Sequence, residues 1–222
     1  MLDTVVARRA QMYRALRWSL LLFIGFLIIT QQVLQYGPLV HFDDTVNRQH
    51  RPSFPGFSGF ILRRLDDLGA RGLTATILLI AAAYIAYKFK TWRPLNLAVI
   101  SLLLLNLVVG VFKIFLGRLK PRIGVDIFHA GGMSYPSGHA SNAVLTWGIL
   151  AYLIYRYANV NRYQGRLASA AVVLISLTVC TVSLIRHTHW FTDLLAGLFI
   201  GSSLLVAIIA LDRYVPSNSQ LS

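Results

Sequence analysis

The chain has 222 residues, of which 56% are hydrophobic and only 13% are charged. Because about a quarter of the residues in a soluble domain are charged, this composition excludes an ordinary water-soluble protein and indicates one that is solvated mainly by lipid. Lysine and arginine total 21 against eight aspartates and no glutamate, which gives a formal net charge of +13. The basic residues lie between apolar segments, so we expect them to face membrane lipids or phosphate substrates, and we expect no nucleic-acid partner.

Six apolar segments predict transmembrane helices, because about 20 apolar residues span the hydrocarbon core and lipid offers no partner for an open backbone. In chain order they are residues 18–35, 72–87, 95–112, 140–155, 167–185 and 194–211. The second is short and is expected to extend back towards Leu68. The predicted fold class is all-α, an integral membrane bundle of six transmembrane helices in a single domain over residues 1–222. The single cysteine, Cys180, excludes an internal disulfide and a multi-cysteine metal site.

The first connection, residues 36–71, is the longest. In its second half an apolar stripe and a charged face recur at near-helical spacing. The stripe consists of Phe57, Phe60, Ile61, Leu65 and Leu68, and the charged face consists of Arg63, Arg64, Asp66 and Asp67. This pattern predicts an amphipathic helix that lies on the membrane surface in the first outer loop.

The basic residues also indicate the orientation of the chain. Four arginines precede the first segment, as in a signal peptide, but no small-residue cleavage pattern follows, so we expect a retained helix. With the N-terminus inside, eleven of the 21 basic residues are cytoplasmic, while six of the eight acids fall outside. This distribution favours cytoplasmic termini for a multi-pass protein of the cell membrane.

With six spans, the end of the third, the loop after it and the link between the fifth and sixth lie at one membrane face. That face collects cations, histidines and a carboxylate: Lys113, Arg118, Lys120, Arg122, Ser137, His139, Arg186, His187, His189 and Asp193. Lys113 and Lys120 are two helical turns apart if the helix persists that far, although Pro121 indicates that it stops near there. Two such cations can clamp phosphate oxygens. The simpler alternative for Lys113 is a side chain that extends to the interface.

Residues 136–139 read Pro-Ser-Gly-His and open the fourth segment. Ser137 is then a helix N-cap, which is a purely structural interpretation. The same geometry also makes an anion site, because backbone amides, a hydroxyl and the small Gly138 meet at a helix N-terminus. His139 beside a bound anion is placed to protonate a leaving oxygen.

The spacing His189-x-x-x-Asp193 predicts an imidazole and a carboxylate on one helix face. The two form either a structural pair or a catalytic one, in which Asp193 fixes the tautomer of His189 and leaves its other nitrogen free to attack phosphorus. Two histidines and an aspartate also suit a metal, but the surrounding lysines and arginine oppose a second cation, so we expect no metal.

These residues resemble the signature of the type 2 phosphatidic acid phosphatase (PAP2) superfamily, which also contains vanadium haloperoxidases. The signature reads Lys-x6-Arg-Pro, Pro-Ser-Gly-His and Ser-Arg-x5-His-x3-Asp, and its parts match within residues 113–193. The first part has Lys120 in place of arginine, and the second is intact. The third keeps His189 and Asp193 but has Val182 and Ser183 at its Ser-Arg positions. Arg186, one turn closer to His189, is expected to supply the missing guanidinium from the same helix face.

The resemblance implies a lipid phosphatase with a phosphohistidine intermediate and no cofactor. His189, oriented by Asp193, is the implied nucleophile and His139 the implied acid. The implied substrate-binding groups are Lys113, Lys120, Ser137, Gly138 and Arg186. The expected substrate is a polyprenyl diphosphate, phosphatidylglycerophosphate or phosphatidic acid in a bacterial membrane, reached from the extracytoplasmic face. The aromatic segment around Phe54, Phe57 and Phe60 is expected to lie over the site and select the lipid.

Three alternatives remain open at this point. The same phosphohistidine can pass its phosphoryl group to a lipid or sugar hydroxyl, which would make the protein a phosphotransferase. A vanadium haloperoxidase is disfavoured by the apolar segments, since those enzymes are soluble. A non-enzymatic transporter or lipid-binding protein explains the segments but not two histidines that converge with four cations. The sequence carries no indication of oligomeric state.

Overall fold

The computed structural model of the protein describes residues 2–49, 54–123, 129–158 and 160–215. Within these ranges the chain forms α-helices, one short 3-10 turn at Pro121–Ile123 and no strand, so the predicted all-α class is confirmed. The helices are α1 (Leu2–Leu34), α2 (Pro38–Arg48), α3 (Gly56–Asp67), α4 (Arg71–Lys88), α5 (Arg93–Leu116), α6 (Gly138–Tyr157), α7 (Arg162–Ile185) and α8 (Phe191–Tyr214).

Four helices of the described chain are long and apolar enough to cross a membrane, namely α1 from Val6, α5, α7 and α8. The pair of α3 and α4 bends by 51° at its junction and counts as a fifth span if it is one broken helix. The predicted segments 72–87 and 140–155 form α4 and α6, but neither helix alone is both long and apolar enough to be counted as a membrane span. The six-span count therefore stays a prediction.

The modest hydropathy of α6 has a structural cause. This helix packs against α4, α5, α7 and α8, and more than half of its residues are buried. Because its neighbours shield it from lipid, it tolerates polar residues, and Ser141, Asn142 and Thr146 all lie in its buried part. A helix in the centre of a bundle does not need the uniformly apolar surface that lipid demands.

Two glycines bring the start of α6 close to α8. A Cβ atom at Gly197 would lie 2.6 Å from the carbonyl oxygen of Ser137, and one at Gly201 would lie 2.9 Å from that of Ser141. Small residues spaced four apart let two membrane helices approach closely. The pair Gly197 and Gly201 thus lets the N-terminus of α6 lie beside the first turns of α8, close to His139, His189 and Asp193.

The first helix packs along the last one described. The Ser19 hydroxyl of α1 donates to the carbonyl oxygen of Ser203 on α8 at 2.8 Å, and the Ser203 hydroxyl donates to that of Ser19 at the same distance. Further along the same interface Phe26 and Ile200 are buried in one apolar cluster. The two serine hydrogen bonds and the apolar contact together hold α1 against α8.

The predicted amphipathic helix forms as α3, and its Phe57, Phe60 and Ile61 are exposed on the protein, as residues that face lipid would be. Its position on the membrane surface stays a prediction. The prediction that Asp66 lies on an exposed, charged face of this helix is wrong, because its carboxylate is buried against α7. Helical periodicity placed it with the charged face, but α7 covers that part of α3 and supplies polar partners.

Candidate active site

The predicted pair of His189 and Asp193 forms, but not on one helix face. His189 lies in the link before α8, which begins at Phe191, and its Nδ1 is 3.3 Å from Asp193 Oδ2. The same carboxylate accepts from the backbone N–H of Trp190 at 3.0 Å, so Asp193 caps the helix from its first turn. Because a carboxylate only accepts, Nδ1 carries the proton in this bond and Nε2 is left free.

The second carboxylate oxygen of Asp193 is bound by Arg118, a buried arginine to which the sequence assigned no specific role. The Arg118 guanidinium is completely buried and donates to Asp193 Oδ1 at 2.8 Å and to Thr192 Oγ1 at 2.7 Å. It also donates to Asp43 Oδ2 at 2.8 Å and lies over the ring of Trp190, 5.1 Å from the ring centroid. Arg118 therefore joins α2, the loop after α5 and the start of α8.

Asp43 is the second carboxylate of this network. Its Oδ1 accepts from the backbone N–H of Thr192 at 2.8 Å, and its Oδ2 accepts from the Thr192 hydroxyl at 2.5 Å. Burial raises the pKa of the Asp43 carboxyl, although Arg118 and Thr192 favour its charged form. A carboxylate desolvated in this way depends strongly on the arginine beside it.

Ser134 adds a donor on the far side of the pair. Its hydroxyl donates to Asp193 Oδ2 and lies 3.5 Å from His189 Nδ1. The backbone N–H of Ser134 donates to the carbonyl oxygen of Arg118 at 3.0 Å, so the loop that carries the arginine also positions the serine. With Ser134, Trp190 and Arg118 all donating to it, the Asp193 carboxylate is fixed in orientation.

Ser137 is the N-cap of α6, as the structural interpretation of the sequence expected. Its hydroxyl accepts from the backbone N–H of Ala140 at 3.3 Å, and its own N–H donates to the carbonyl oxygen of Asp193 at 2.9 Å. This backbone bond brings the N-terminus of α6 to the start of α8. The ring of His139, in the first turn, lies 6.4 Å from the ring of His189 between centroids.

Two lysines lie near this helix N-terminus. Lys113 is half-buried, its Cε is within 3.9 Å of the position of a Cβ on Gly138, and its Nζ donates to the carbonyl oxygen of Met133. Lys120 is exposed and lies within electrostatic range of Lys113 and His139. The condition under which the two lysines would share a helix face is not met, because α5 ends at Leu116 with Gly117 in the left-handed region at a φ of 53°.

Arg186 is the C-cap residue of α7, and its guanidinium pairs with the buried Asp66 of α3. The other oxygen of Asp66 accepts from the Ser183 hydroxyl at 3.0 Å. Because α7 ends at Ile185, Arg186 does not share a helix face with His189, which corrects that part of the expectation. Asp66 is also within electrostatic range of His139, so the Arg186 pair borders the site.

The sequence suggested no role in the site for Asp43, Asp66 and Ser134, and it placed Arg118 among the cations of this membrane face without a specific role. Only Arg118 had a visible signal, since it lies between the two lysines of the first motif and follows an apolar segment. The other three are partners brought in by packing. In the part of the chain that the structure describes, no three histidine, cysteine or acidic side chains come together as a metal site would require.

Comparison with known proteins places this site in a family. The family model described as PAP2 superfamily matches residues 94–216, more than half of the chain. Phosphatidylglycerophosphatase B of Bacillus subtilis (strain 168) is 23% identical over 157 residues, which are 70% of this chain and 75% of that protein.

The fold agrees with this match. The crystal structure of the first transmembrane PAP2 type phosphatidylglycerolphosphate phosphatase from Bacillus subtilis superposes with a TM-score of 0.79, covering 90% of this chain and 98% of that one at 20% identity. The family match, the shared fold and the apolar helices lead to one conclusion: the chain belongs to the PAP2 superfamily, as a multi-pass membrane phosphatase.

Proposed function

We propose that this phosphatase removes phosphate from a lipid phosphate or diphosphate through a phosphohistidine formed on His189. One observation carries the proposal. The imidazoles of His189 and His139 lie 6.4 Å apart, and Asp193 supports the first of them from behind. That separation leaves room for a phosphoryl group between a nucleophile and a proton donor, beside a helix N-terminus and two lysines.

The reaction then takes two steps. Nε2 of His189 attacks phosphorus as the bond from phosphorus to the leaving oxygen breaks, and His139 gives its proton to that oxygen. Water next attacks the phosphohistidine and passes a proton to His139, the phosphorus–nitrogen bond breaks, and inorganic phosphate leaves. Asp193 keeps the Nδ1 proton of His189 in place and stabilises the positive charge that the imidazole gains in the first step.

The phosphoryl oxygens need donors as their charge rises. Lys113 and Lys120 supply cations, and Ser137 and the amide of Gly138 supply the helix N-terminus. Arg186 completes the set from the end of α7, held by Asp66. Arg118 does not belong to it, because its guanidinium is buried and directed at two carboxylates.

For the membrane topology we propose six spans with cytoplasmic termini, formed by α1, α4, α5, α6, α7 and α8. The burial of α6 among four other helices supports counting it as a span despite its polar residues. With this topology the His189 site faces the extracytoplasmic side, and α3 lies at the same face with its phenylalanines towards the lipid.

Phosphatidylglycerophosphate is the first substrate to test, because the Bacillus relative is named for that activity. A polyprenyl diphosphate and phosphatidic acid follow. All three present a terminal phosphate on an apolar chain, which suits a cationic site at the membrane surface. The exposed Phe57 and Phe60, whose ring centroids are 6.5 Å apart, offer a contact for that chain on the helix that carries Asp66.

The test is phosphate release by detergent-purified protein from this lipid panel, in the presence of EDTA, beside His189→Ala. His187→Asn is the matched control, because His187 is two residues away, bonds to Asn47 at 2.9 Å and has a positive φ that asparagine tolerates. We expect release that survives EDTA and the control substitution and disappears in His189→Ala. Release that persists in His189→Ala would rule out the phosphohistidine.

A second assay separates hydrolysis from transfer to another acceptor. If the folded protein releases no phosphate from any lipid in water but forms a phosphorylated product when a lipid or sugar hydroxyl is added, the enzyme is a phosphotransferase.

The contribution of Arg186 has its own test. Arg186→Ala is expected to raise KM and lower kcat for phosphate release, because a phosphoryl oxygen loses a charged donor. Unchanged activity in this variant would remove Arg186 from the site.

A further inference from the structure

A groove lies between α7 and α8 and reaches the end of the bundle opposite His189. Its volume is about 890 Å³, and α6 forms its floor. The groove exists because α7 packs along α6 but touches α8 little. Its walls are apolar in the interior, with Val144, Val173, Leu177, Leu198 and Val206 among the lining residues.

The length of the groove suits a lipid chain. The lining extends from Arg162 to Leu177 on α7 and from Leu198 to Arg213 on α8. Each stretch is about 23 Å long at 1.5 Å per residue, which exceeds half of a hydrocarbon core of about 30 Å. An acyl chain that enters at the arginine end can therefore lie within the groove through the depth of one leaflet.

Three arginines surround the mouth of the groove, and we refer to Arg162, Arg166 and Arg213 as the mouth arginines. All three are exposed, and none of them forms an ion pair with a described residue. Arg213 instead lies over the ring of Tyr152 at 5.5 Å. Nearby Arg93 and Arg156 differ, because both pair with the carboxylate of Asp212.

The start of α7 adds to the positive potential. Arg162 and Arg166 occupy the beginning of this helix, whose first turn contains no acidic residue. The N-terminal end of a helix carries partial positive charge and prefers an anion, so two arginines there are unfavourable unless an anion is bound. The groove thus combines an apolar interior with a strongly cationic mouth at the level of the headgroups.

We propose that this groove binds an anionic phospholipid from the leaflet opposite the His189 site, with the headgroup phosphate on the mouth arginines and one acyl chain between α7 and α8. Arginine binds phosphate through paired N–H donors, and a basic cluster at the membrane surface selects anionic over zwitterionic headgroups. The binding is independent of the phosphatase reaction, because the mouth arginines lie at the other end of the helices from the histidines.

The test uses native mass spectrometry of the detergent-purified chain titrated with phosphatidylglycerol or phosphatidylcholine. The charge variant is R162Q/R166Q/R213Q, and the matched control is R9Q/R14Q/R17Q, which removes three exposed arginines of α1 outside the groove. A third variant, Ser202→Phe, fills the groove without changing charge. Phosphate release by every variant checks the fold.

The parent and the control are expected to bind phosphatidylglycerol more tightly than phosphatidylcholine. The charge variant is expected to lose about fivefold in affinity per arginine removed. Ser202→Phe is expected to weaken both lipids.

Equal affinity of the charge variant and the control, or equal binding of the two lipids by the parent, would overturn the proposal. A second result would also overturn it: the parent is a dimer that does not bind phosphatidylglycerol, and Ser202→Phe makes it a monomer. A second copy of the chain would then occupy the groove.

Discussion

Two charge clusters lie at opposite ends of the bundle and mirror each other in composition. At the site end one arginine, Arg118, is shared by the two carboxylates of Asp43 and Asp193. At the other end one carboxylate, Asp212, is shared by Arg93 and Arg156. The first cluster has an excess of negative charge and the second an excess of positive charge.

Burial separates the two clusters more than composition does. The side chains of Arg118, Asp43 and Asp193 are 0% exposed, whereas Arg93 and Arg156 keep 21% and 22% of their side-chain surface exposed. Exposed charges that lose a partner are solvated by water, but buried ones are not. The ion pairs of Asp212 are therefore expected to contribute little to stability, whereas the fold requires the ion pairs of Arg118.

The largest effect is expected from Arg118→Met. This change leaves two buried carboxylates without a cation, which costs about 3–5 kcal/mol of unfolding free energy, and phosphate release is lost with the geometry of Asp193. Thermal unfolding in detergent measures the loss. Arg93→Met is the control at the opposite end, where Asp212 keeps Arg156, and we expect it to cost about 1 kcal/mol or less. Equal losses in the two variants would contradict the contrast in burial.

Asp193→Asn tests the catalytic side of the buried cluster. One amide orientation directs the oxygen at Trp190 and the NH2 group at Arg118, and the other orientation reverses this, so a donor faces a donor in either case. The amide also cannot hold His189 in its tautomer as a carboxylate does. We expect kcat for phosphate release to fall about 10³- to 10⁴-fold, together with a loss of thermal stability that is smaller than that of Arg118→Met. A loss of activity of less than tenfold would assign the pair of Asp193 and His189 to structure alone.

Asp43→Asn affects the same arginine from the side remote from the histidine. Arg118 keeps Asp193 but loses its second anchor, so we expect a misplacement of Asp193 that lowers kcat about tenfold to hundredfold. Asp43 is a positioning residue, and substrate contacts are unchanged, so KM is expected to stay within about twofold of the parent value. A rise in KM with unchanged kcat would place Asp43 near the substrate instead.

Asp212→Asn is expected to have the smallest effect. Arg93 and Arg156 remain partly solvated, and the asparagine still accepts one hydrogen bond, so the unfolding free energy falls by about 1 kcal/mol. Phosphate release should equal that of the parent, because Asp212 lies at the end of α8 remote from the histidines. Loss of activity at constant thermal stability would show that the two ends of the bundle are coupled.

The sequence was sufficient to predict what depends on local patterns. Apolar segments predicted the long helices, because lipid requires a uniformly apolar surface over about 20 residues. The Pro-Ser-Gly-His segment predicted the start of α6, since an N-cap is a local arrangement, and Ser137 does cap that helix. Of the predicted spans, α4 and α6 fall short of the length and hydropathy of a lipid-facing helix when taken alone, and burial explains this for α6.

The sequence was not sufficient to predict partners across the bundle. Periodicity gives the direction of Asp66 on its own helix, but not that α7 would cover it with Ser183 and Arg186. The choice of Arg118 as the partner of Asp193 depends on how the loop after α5 packs on α8, which no local pattern encodes. The start of α8 was also misjudged, because the cap by Asp193 starts this helix beyond His189.

The contact between α1 and α8 has a consequence for biogenesis. The two hydrogen bonds between Ser19 and Ser203 join the first and the last of the described helices, so they form only after nearly all of the described chain has been synthesised. Asp193 also emerges late, and until then Arg118 has only Asp43 as a carboxylate partner in the network. A nascent chain that folds from its N-terminus therefore completes the proposed active site and closes its helix bundle in the same late step of membrane insertion.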